Sequence, residues 1–345
     1  MMNDEFGETR YQGLESRLLI REQSISDSHL AGDARADYLL IKFIGESGMC
    51  TVWHATQAST GRDLAIKVFN ARDHFNQNAR DVFLRQALIT ADLDHPNIVP
   101  VYDLGRSESN ELFCTMRLFQ GQRWDQLIGI TTLEENLEIW LKVADAIAFA
   151  HFRGVVHCDI KPSRVVVGSF GEVQVTDFGL AIVLSNFRHF ALLNELAMRS
   201  IGMGGTPSYM APEQAAGDGL KISPLSDVYL LGAILFEMIV GVPPHQVRAE
   251  DGKSPSALVA MKNAAANKIV QTNKSNELLD IALKAMKTSP EDRYPSMKVF
   301  IKAVKDCQKH SKSIQHVTPL DKNPGDGDSG NISENAVIRF LRRWM

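Results

Sequence analysis

His157-Cys158-Asp159-Ile160-Lys161-Pro162-Ser163-Arg164, with Asp177-Phe178-Gly179 further on, is the stretch that decides how this chain reads. Three other motifs flank it in a fixed order. Upstream lies Ile44-Gly45-Glu46-Ser47-Gly48-Met49-Cys50-Thr51-Val52, between two strand candidates. A strand–turn–strand rich in small residues lets backbone N–H groups approach phosphates, although by itself it is an ordinary hairpin. Next comes Leu64-Ala65-Ile66-Lys67. A lysine inside an apolar strand is costly unless its ammonium meets an anion or snorkels out from an edge. Downstream, Gly205-Thr206-Pro207 leads to Ala211-Pro212-Glu213, with Asp227 and Arg293 beyond. Each motif is weak alone; the ordered set is strong.

The surrounding periodicities give the motifs a frame. Leu39–Ile44, Thr51–Ala55 and Leu64–Phe69 read as strands separated by polar turns. Residues 79–93 read as a helix carrying Gln86, broken by His95-Pro96-Asn97. Ile98–Leu104 and Leu112–Phe119 are two more strands. Beyond Gly121 the pattern turns helical. Residues 133–152 repeat apolar side chains at helical spacing behind a capping box of Thr132 and Glu135. Further helices are expected from Ser226 to Val240 and near 295–307. Strands followed by helices point to an α+β protein of two lobes.

Composition bounds the alternatives. The chain has 345 residues, 23% charged and 44% hydrophobic, with 37 basic against 41 acidic side chains. A net charge of −4 argues against nucleic-acid binding by bulk charge. Four scattered cysteines without a C-x-x-C pair suit free thiols in a reducing compartment, not a disulfide scaffold or structural zinc. The first residues lack a signal peptide's apolar core. The most apolar run, Leu230–Val242, is interrupted by Glu237 and falls short of the roughly 20 residues of a membrane span. A cytoplasmic protein is expected. Residues 1–37 read as a flexible extension and 310–345 as a linker and short basic tail. The tail's Val337, Phe340, Leu341 and Trp344 form an apolar face that could dock on the protein itself, a partner or an anionic membrane.

The motif set resembles the eukaryotic-type (Hanks-type) serine/threonine protein kinases, especially their bacterial branch. HPNIVPVYDLG (95–105), GEVQVTDFGLA (171–181) and GTPSYMAPEQ (205–214) carry the likeness, which runs from about Tyr38 to Lys309. It implies a two-lobed protein kinase-like fold: a β-rich N-lobe over 38–116, a hinge at 117–119 and a mainly helical C-lobe over 120–309. It implies ATP with Mg²⁺ or Mn²⁺, which the departure at Arg164 described below reduces to a single ion, if any, and a protein substrate or regulated partner. By resemblance, Lys67 pairs with the α- and β-phosphates and Asp159 accepts or orients the substrate hydroxyl proton. Lys161 stabilises the γ-phosphoryl group and, with Thr206, marks the serine/threonine class. Asp177 holds the metal. Gly45 and Gly48 belong to the loop over the phosphates. Ile44, Val52, Ala65 and Val166 sandwich adenine, Met116 is the gatekeeper, and Arg117 to Phe119 offer backbone hydrogen bonds. Glu213 and Arg293 form a buried pair, and Asp227 braces the catalytic loop.

The sequence also departs from that family. Arg164 replaces the asparagine that holds a second metal, and a guanidinium has no acceptor. Its charge either stands where that metal would sit, facing Asp159 or Asp177, or points to solvent. Gln86 replaces the glutamate that pairs with Lys67, and a neutral bond is about half as strong as a charge-assisted one. Cys158 replaces the arginine that receives an activation-loop phosphate. Ser47 and Cys50 take two glycine positions, and their Cβ atoms hinder approach over the phosphates. Two functions stay open: a serine/threonine kinase of weakened activity, and a pseudokinase that binds nucleotide and regulates a partner without useful phosphotransfer.

Overall fold

A computed structural model of the chain describes residues 20–27, 36–47, 50–70, 77–185, 205–245 and 276–315, with positions 187, 193, 264, 266, 267, 269–272 and 274 between them. Two short strands come first, β1 (Arg21–Glu22) and β2 (Ile25–Asp27). Then alternating β-branched and aromatic residues form β3 (Tyr38–Ser47), β4 (Cys50–Gln57) and β5 (Arg62–Phe69). Helix α1 (Gln77–Asp92) precedes β6 (Val101–Arg106) and β7 (Leu112–Arg117). The strand expected from Ile98 starts at Val101 instead, and Ile98 makes only an isolated bridge to Val175.

The sheet order is β1-β6-β7-β5-β4-β3-β2. β3 to β7 pair antiparallel, whereas β1 joins β6 and β2 joins β3 in parallel. Because β1 and β2 are successive, the segment Arg21–Asp27 covers both edges of the sheet. This departs from the expected flexible extension over 1–37 in one place: within it, Arg21–Glu22 and Ile25–Asp27 are strands. Backbone pairing, which the polar composition did not signal, holds them, helped by Gln23 Nε2 donating to Asp103 at 2.7 Å and Ser24 N to Asp37 at 2.9 Å. Covering the edges satisfies backbone groups that would otherwise be open to another strand.

Period-two alternation then sorts the faces. Tyr38, Ala55, Leu64, Ile66 and Phe113 form one buried cluster, with Tyr38 edge-on to Phe113 at 5.8 Å. Ala65 and Lys67 point the other way, opposite Met116 and Cys114 on β7, with Val52 opposite Lys67 on β4.

The rest is mainly helical. β8 (Gly121–Arg123) and the turn α2 (Trp124–Leu127) lead to α3 (Leu133–Phe152), which starts at the expected capping box: Thr132 Oγ1 accepts from Glu135 N, and Thr132 N donates to the Glu135 carboxylate. β9 (Val155–Val156), β10 (Val165–Gly168), β11 (Val173–Val175) and β12 (Ile182–Val183) are short pairs, β11-β10-β8 and β12-β9. The turn α4 (Pro212–Ala215) precedes α5 (Pro224–Val240), which is capped by Ser223 and ended by Gly241 at φ 93°. Only a residue without Cβ adopts that left-handed conformation without strain. α6 (Glu277–Ala285) packs close on α5, where a Cβ on Gly232 would lie 2.7 Å from that of Ala285. The closing helix, α7, is Met297–Gln315, longer than the expected 295–307. Residues 1–305 form one compact unit and 306–345 a second, whose described part is the continuation of α7. No helix among the described residues is long and apolar enough to cross a membrane. The basic tail lies outside the described residues.

Candidate active site

The two short sheets set the site. β9 leads into residues 157–164, β10 leads out, β11 delivers Asp177, and β12 returns to pair with β9. The loop backbone is pinned from below by Asp227, wholly buried in the first turn of α5. Its carboxylate accepts from His157 N at 2.8 Å, Cys158 N at 2.9 Å and His151 Nε2 at 2.8 Å. Burial pushes this carboxyl up, but His151, His157 and these bonds outweigh it and hold it below its ordinary range. The bracing matters because Cys158 has φ 66° and Asp177 φ 64°, a region where a side chain costs roughly 1–2 kcal/mol. Burial lowers the His157 pKa; its Nδ1 accepts from Asp159 N at 3.2 Å, and its ring packs on buried Phe178 at 4.6 Å.

Five segments bring their polar and charged groups together here. Asp159 Oδ1 accepts from Thr206 Oγ1 at 2.9 Å, and Lys161 donates to Thr206 with its ammonium 3.5 Å from Asp159 Oδ2. Arg164 does not point to solvent. Its Nη2 and Nε lie 3.1 and 3.3 Å from Asp159 Oδ2, and its Nη1 donates to Asp177 Oδ2. Gln86 is bound on both sides: its Oε1 accepts from Lys67 at 3.0 Å and its Nε2 donates to Asp177 Oδ1 at 2.9 Å. Gly179 N also donates to Asp177 Oδ1, at 3.3 Å. Burial favours the neutral Asp177 carboxyl, but Lys67, Arg164 and His157 prevail and hold its pKa below the ordinary value.

This donor set bears on the family's metal ions. Asp177 keeps a lone pair on Oδ2 beside Arg164, enough for one ion bound through a single oxygen. A second ion does not fit: its neutral carbonyl ligand is missing, and a guanidinium bridges the two carboxylates it would use. No cluster of three or more His, Cys, Asp or Glu side chains suited to a metal occurs among the described residues.

The other expected residues fall around this cluster. Val52, Ala65, Lys67 and Met116 share one face by register, and Val166 lies half-buried on β10. Ile44 is half-exposed and Gly45 pairs with Val52. Gly48 lies outside the described residues. Cys50, paired with Ser47, is on the Lys67 side of its strand and buried; burial raises its thiol pKa. At the linker, Arg117 ends β7, its N–H donates to Pro100 O at 3.1 Å, and its guanidinium lies 5.3 Å over the Phe119 ring. That N–H is therefore committed within the protein. Lower down, Arg293 grips Glu213 bidentately at 2.7 and 2.8 Å, both side chains buried.

Two features escaped the sequence reading. One is the second bond of Gln86, which depends on Asp177 approaching from a distant segment. The other is Arg85, beside Gln86 on α1: it is buried, its guanidinium donates to Ala181 O, and its Nε has no hydrogen-bond partner among the described residues. Burial lowers its pKa, opposed by nearby Cys158. An arginine inside an amphipathic helix pattern gave no signal that it would turn inward.

Comparison with known proteins agrees with this geometry. The family model described as protein kinase domain matches residues 38–306. The chain is 33% identical over 300 residues to a probable serine/threonine-protein kinase of Clostridium perfringens, covering 84% of this chain and 40% of that protein. It is 36% identical over 230 residues to a probable serine/threonine-protein kinase of Lactococcus lactis, covering 66% and 34%. With the serine/threonine-protein kinase PrkC of Bacillus subtilis it shares 33% over 283 residues, covering 79% and 41%. The chain thus spans well under half the length of these relatives.

Proposed function

The chain belongs to the protein kinase family, with the bacterial Hanks-type serine/threonine kinases, and from that premise we propose that it binds ATP in the cleft and transfers the γ-phosphoryl group, slowly, to serine or threonine of a protein. The observation that carries this reading is one connected chain of contacts, Lys67 through Gln86 to Asp177, Asp177 through Arg164 to Asp159, and Asp159 to Thr206 and Lys161. Lys67 meets the α- and β-phosphates. Asp159, oriented by Thr206, takes the proton as the substrate oxygen bonds to the γ-phosphorus and the bond to ADP breaks. Lys161 offsets the charge on the moving phosphoryl group. A divalent ion, Mg²⁺ or Mn²⁺, held by Asp177 would neutralise phosphate charge.

Kinases of this type turn over at about 1–100 s⁻¹, and losing one preorganised electrostatic group costs about 10²–10³ in rate. Arg164 removes one such group. Gln86 retains its contact with Lys67 without the charge, so the rate expected is about 10²–10³ below the usual range. The same Arg164 contact to Asp159 favours the second reading, a pseudokinase whose nucleotide-bound state regulates a partner. Radiolabelled γ-phosphoryl transfer to a generic protein substrate separates them. A slow transfer abolished by Asp159→Asn supports the kinase. A silent protein that still binds ATP, and gains activity in an Arg164→Asn variant, supports the pseudokinase. A cytoplasmic location and protein partners complete the proposal.

A further inference from the structure

We propose that Arg164 is a resident counter-ion that lets this cleft bind adenine nucleotide without a divalent cation; the inference rests on the ATP-binding reading above. Each oxygen of the two carboxylates already has a protein donor. Asp159 Oδ1 has Thr206, and its Oδ2 has Arg164 with Lys161 alongside. Asp177 Oδ1 has Gln86 and Gly179, and its Oδ2 has Arg164. Three cations, Lys67, Lys161 and Arg164, therefore surround two anions, leaving the cluster positive before any ion arrives. In a site built for metals the carboxylates face the phosphates and need the ions to mask their repulsion. Here the masking is part of the chain.

The guanidinium is suited to this. It carries five N–H donors in a plane and has no proton to lose near neutral pH. Three are engaged by Asp159 and Asp177, so two remain for phosphate oxygens, and the side chain is 29% exposed. Gln86 completes the arrangement, since its amide joins Lys67 to Asp177 without adding a negative charge that an ion would have to offset.

The test is calorimetric titration of the full chain with ATP, in EDTA and in excess Mg²⁺. The expected result is dissociation constants within about threefold of one another. Arg164→Asn should weaken binding in EDTA by about tenfold or more, the worth of one charge-assisted contact, and Mg²⁺ should restore it. Counting bound Mn²⁺ by electron paramagnetic resonance should give no more than one ion per nucleotide in the parent and a second in Arg164→Asn. If that variant does not fold, Arg164→Lys, which keeps the charge but loses the fork, should fall between the two, and the parent's own pair of titrations still decides. Binding by the parent that needs Mg²⁺, weaker by about thirtyfold or more in EDTA, overturns the counter-ion and leaves the ATP-binding reading standing. No binding in either buffer overturns both.

Discussion

Family likeness suggests that Gln86→Glu should repair the site; the geometry says it should damage it. Gln86 presents an acceptor to Lys67 at 3.0 Å and a donor to Asp177 at 2.9 Å. A glutamate keeps the first contact and turns the second into two carboxylates facing each other at that separation. Two unit charges about 3 Å apart interact by about 5 kcal/mol at an effective dielectric near 20. The new attraction to Lys67 and the new repulsion from Asp177 therefore nearly cancel. What remains is the lost hydrogen bond to a charged acceptor, about 1.5–3 kcal/mol. For a domain of this size, 1 kcal/mol shifts the melting midpoint by about 2–4 °C, so a fall of roughly 3–12 °C is expected without nucleotide. Scanning calorimetry at pH 7 and low salt reads it, with Gln86→Leu, which loses both bonds, as the lower bound. An unchanged or higher midpoint for Gln86→Glu would show that α1 and Asp177 are not coupled through this amide, and the reasoning would fail.

Other perturbations have equally definite outcomes. Removing Arg293 leaves Glu213 charged and buried, so Arg293→Ala should destabilise by about 3–5 kcal/mol in urea unfolding, whereas replacing both partners with leucine and methionine should cost far less; equal losses would contradict the pairing. Burial raises the Glu237 carboxyl from 4.5 to about 7, against a hydrogen bond from Tyr209 at 2.8 Å. An acid whose folded pKa is raised gives stability that is complete below pH 4.5 and is lost as pH climbs through 7, a total of about 3 kcal/mol. Glu237→Gln should flatten that slope, and a parallel profile would argue against it. Deleting residues 1–28 uncovers both sheet edges and removes the Gln23–Asp103 bond; unfolding should become easier by about 2 kcal/mol, and an unaltered midpoint would mean the segment contributes nothing.

Much of the architecture was legible because its signals are local. Alternation around Leu64–Phe69, helical spacing over 133–152 and the Thr132/Glu135 cap each follow from neighbouring residues, and each appears where expected. The edge segment 21–27 was not legible, since its stabilisation is backbone pairing to two distant strands and its side chains carry no pattern. The boundaries of β6 and α7 moved for a similar reason: apolar periodicity marks what is buried, not where backbone hydrogen bonds begin or stop.

The sequence by itself determined which chemical groups this protein possesses: the lysine on an apolar strand, the two aspartates, the arginine in place of an amide, the glutamine in place of an acid. It also determined their order, and through that the family. Only the tertiary structure decided where those groups point. Arg164 could have faced water; it lies between Asp159 and Asp177 because β10 and β11 bring both carboxylates within reach of one guanidinium. Gln86 could have bonded Lys67 alone; it also holds Asp177, 91 positions away in the chain. Side-chain direction is set by what the fold packs opposite each residue, and that information is nonlocal.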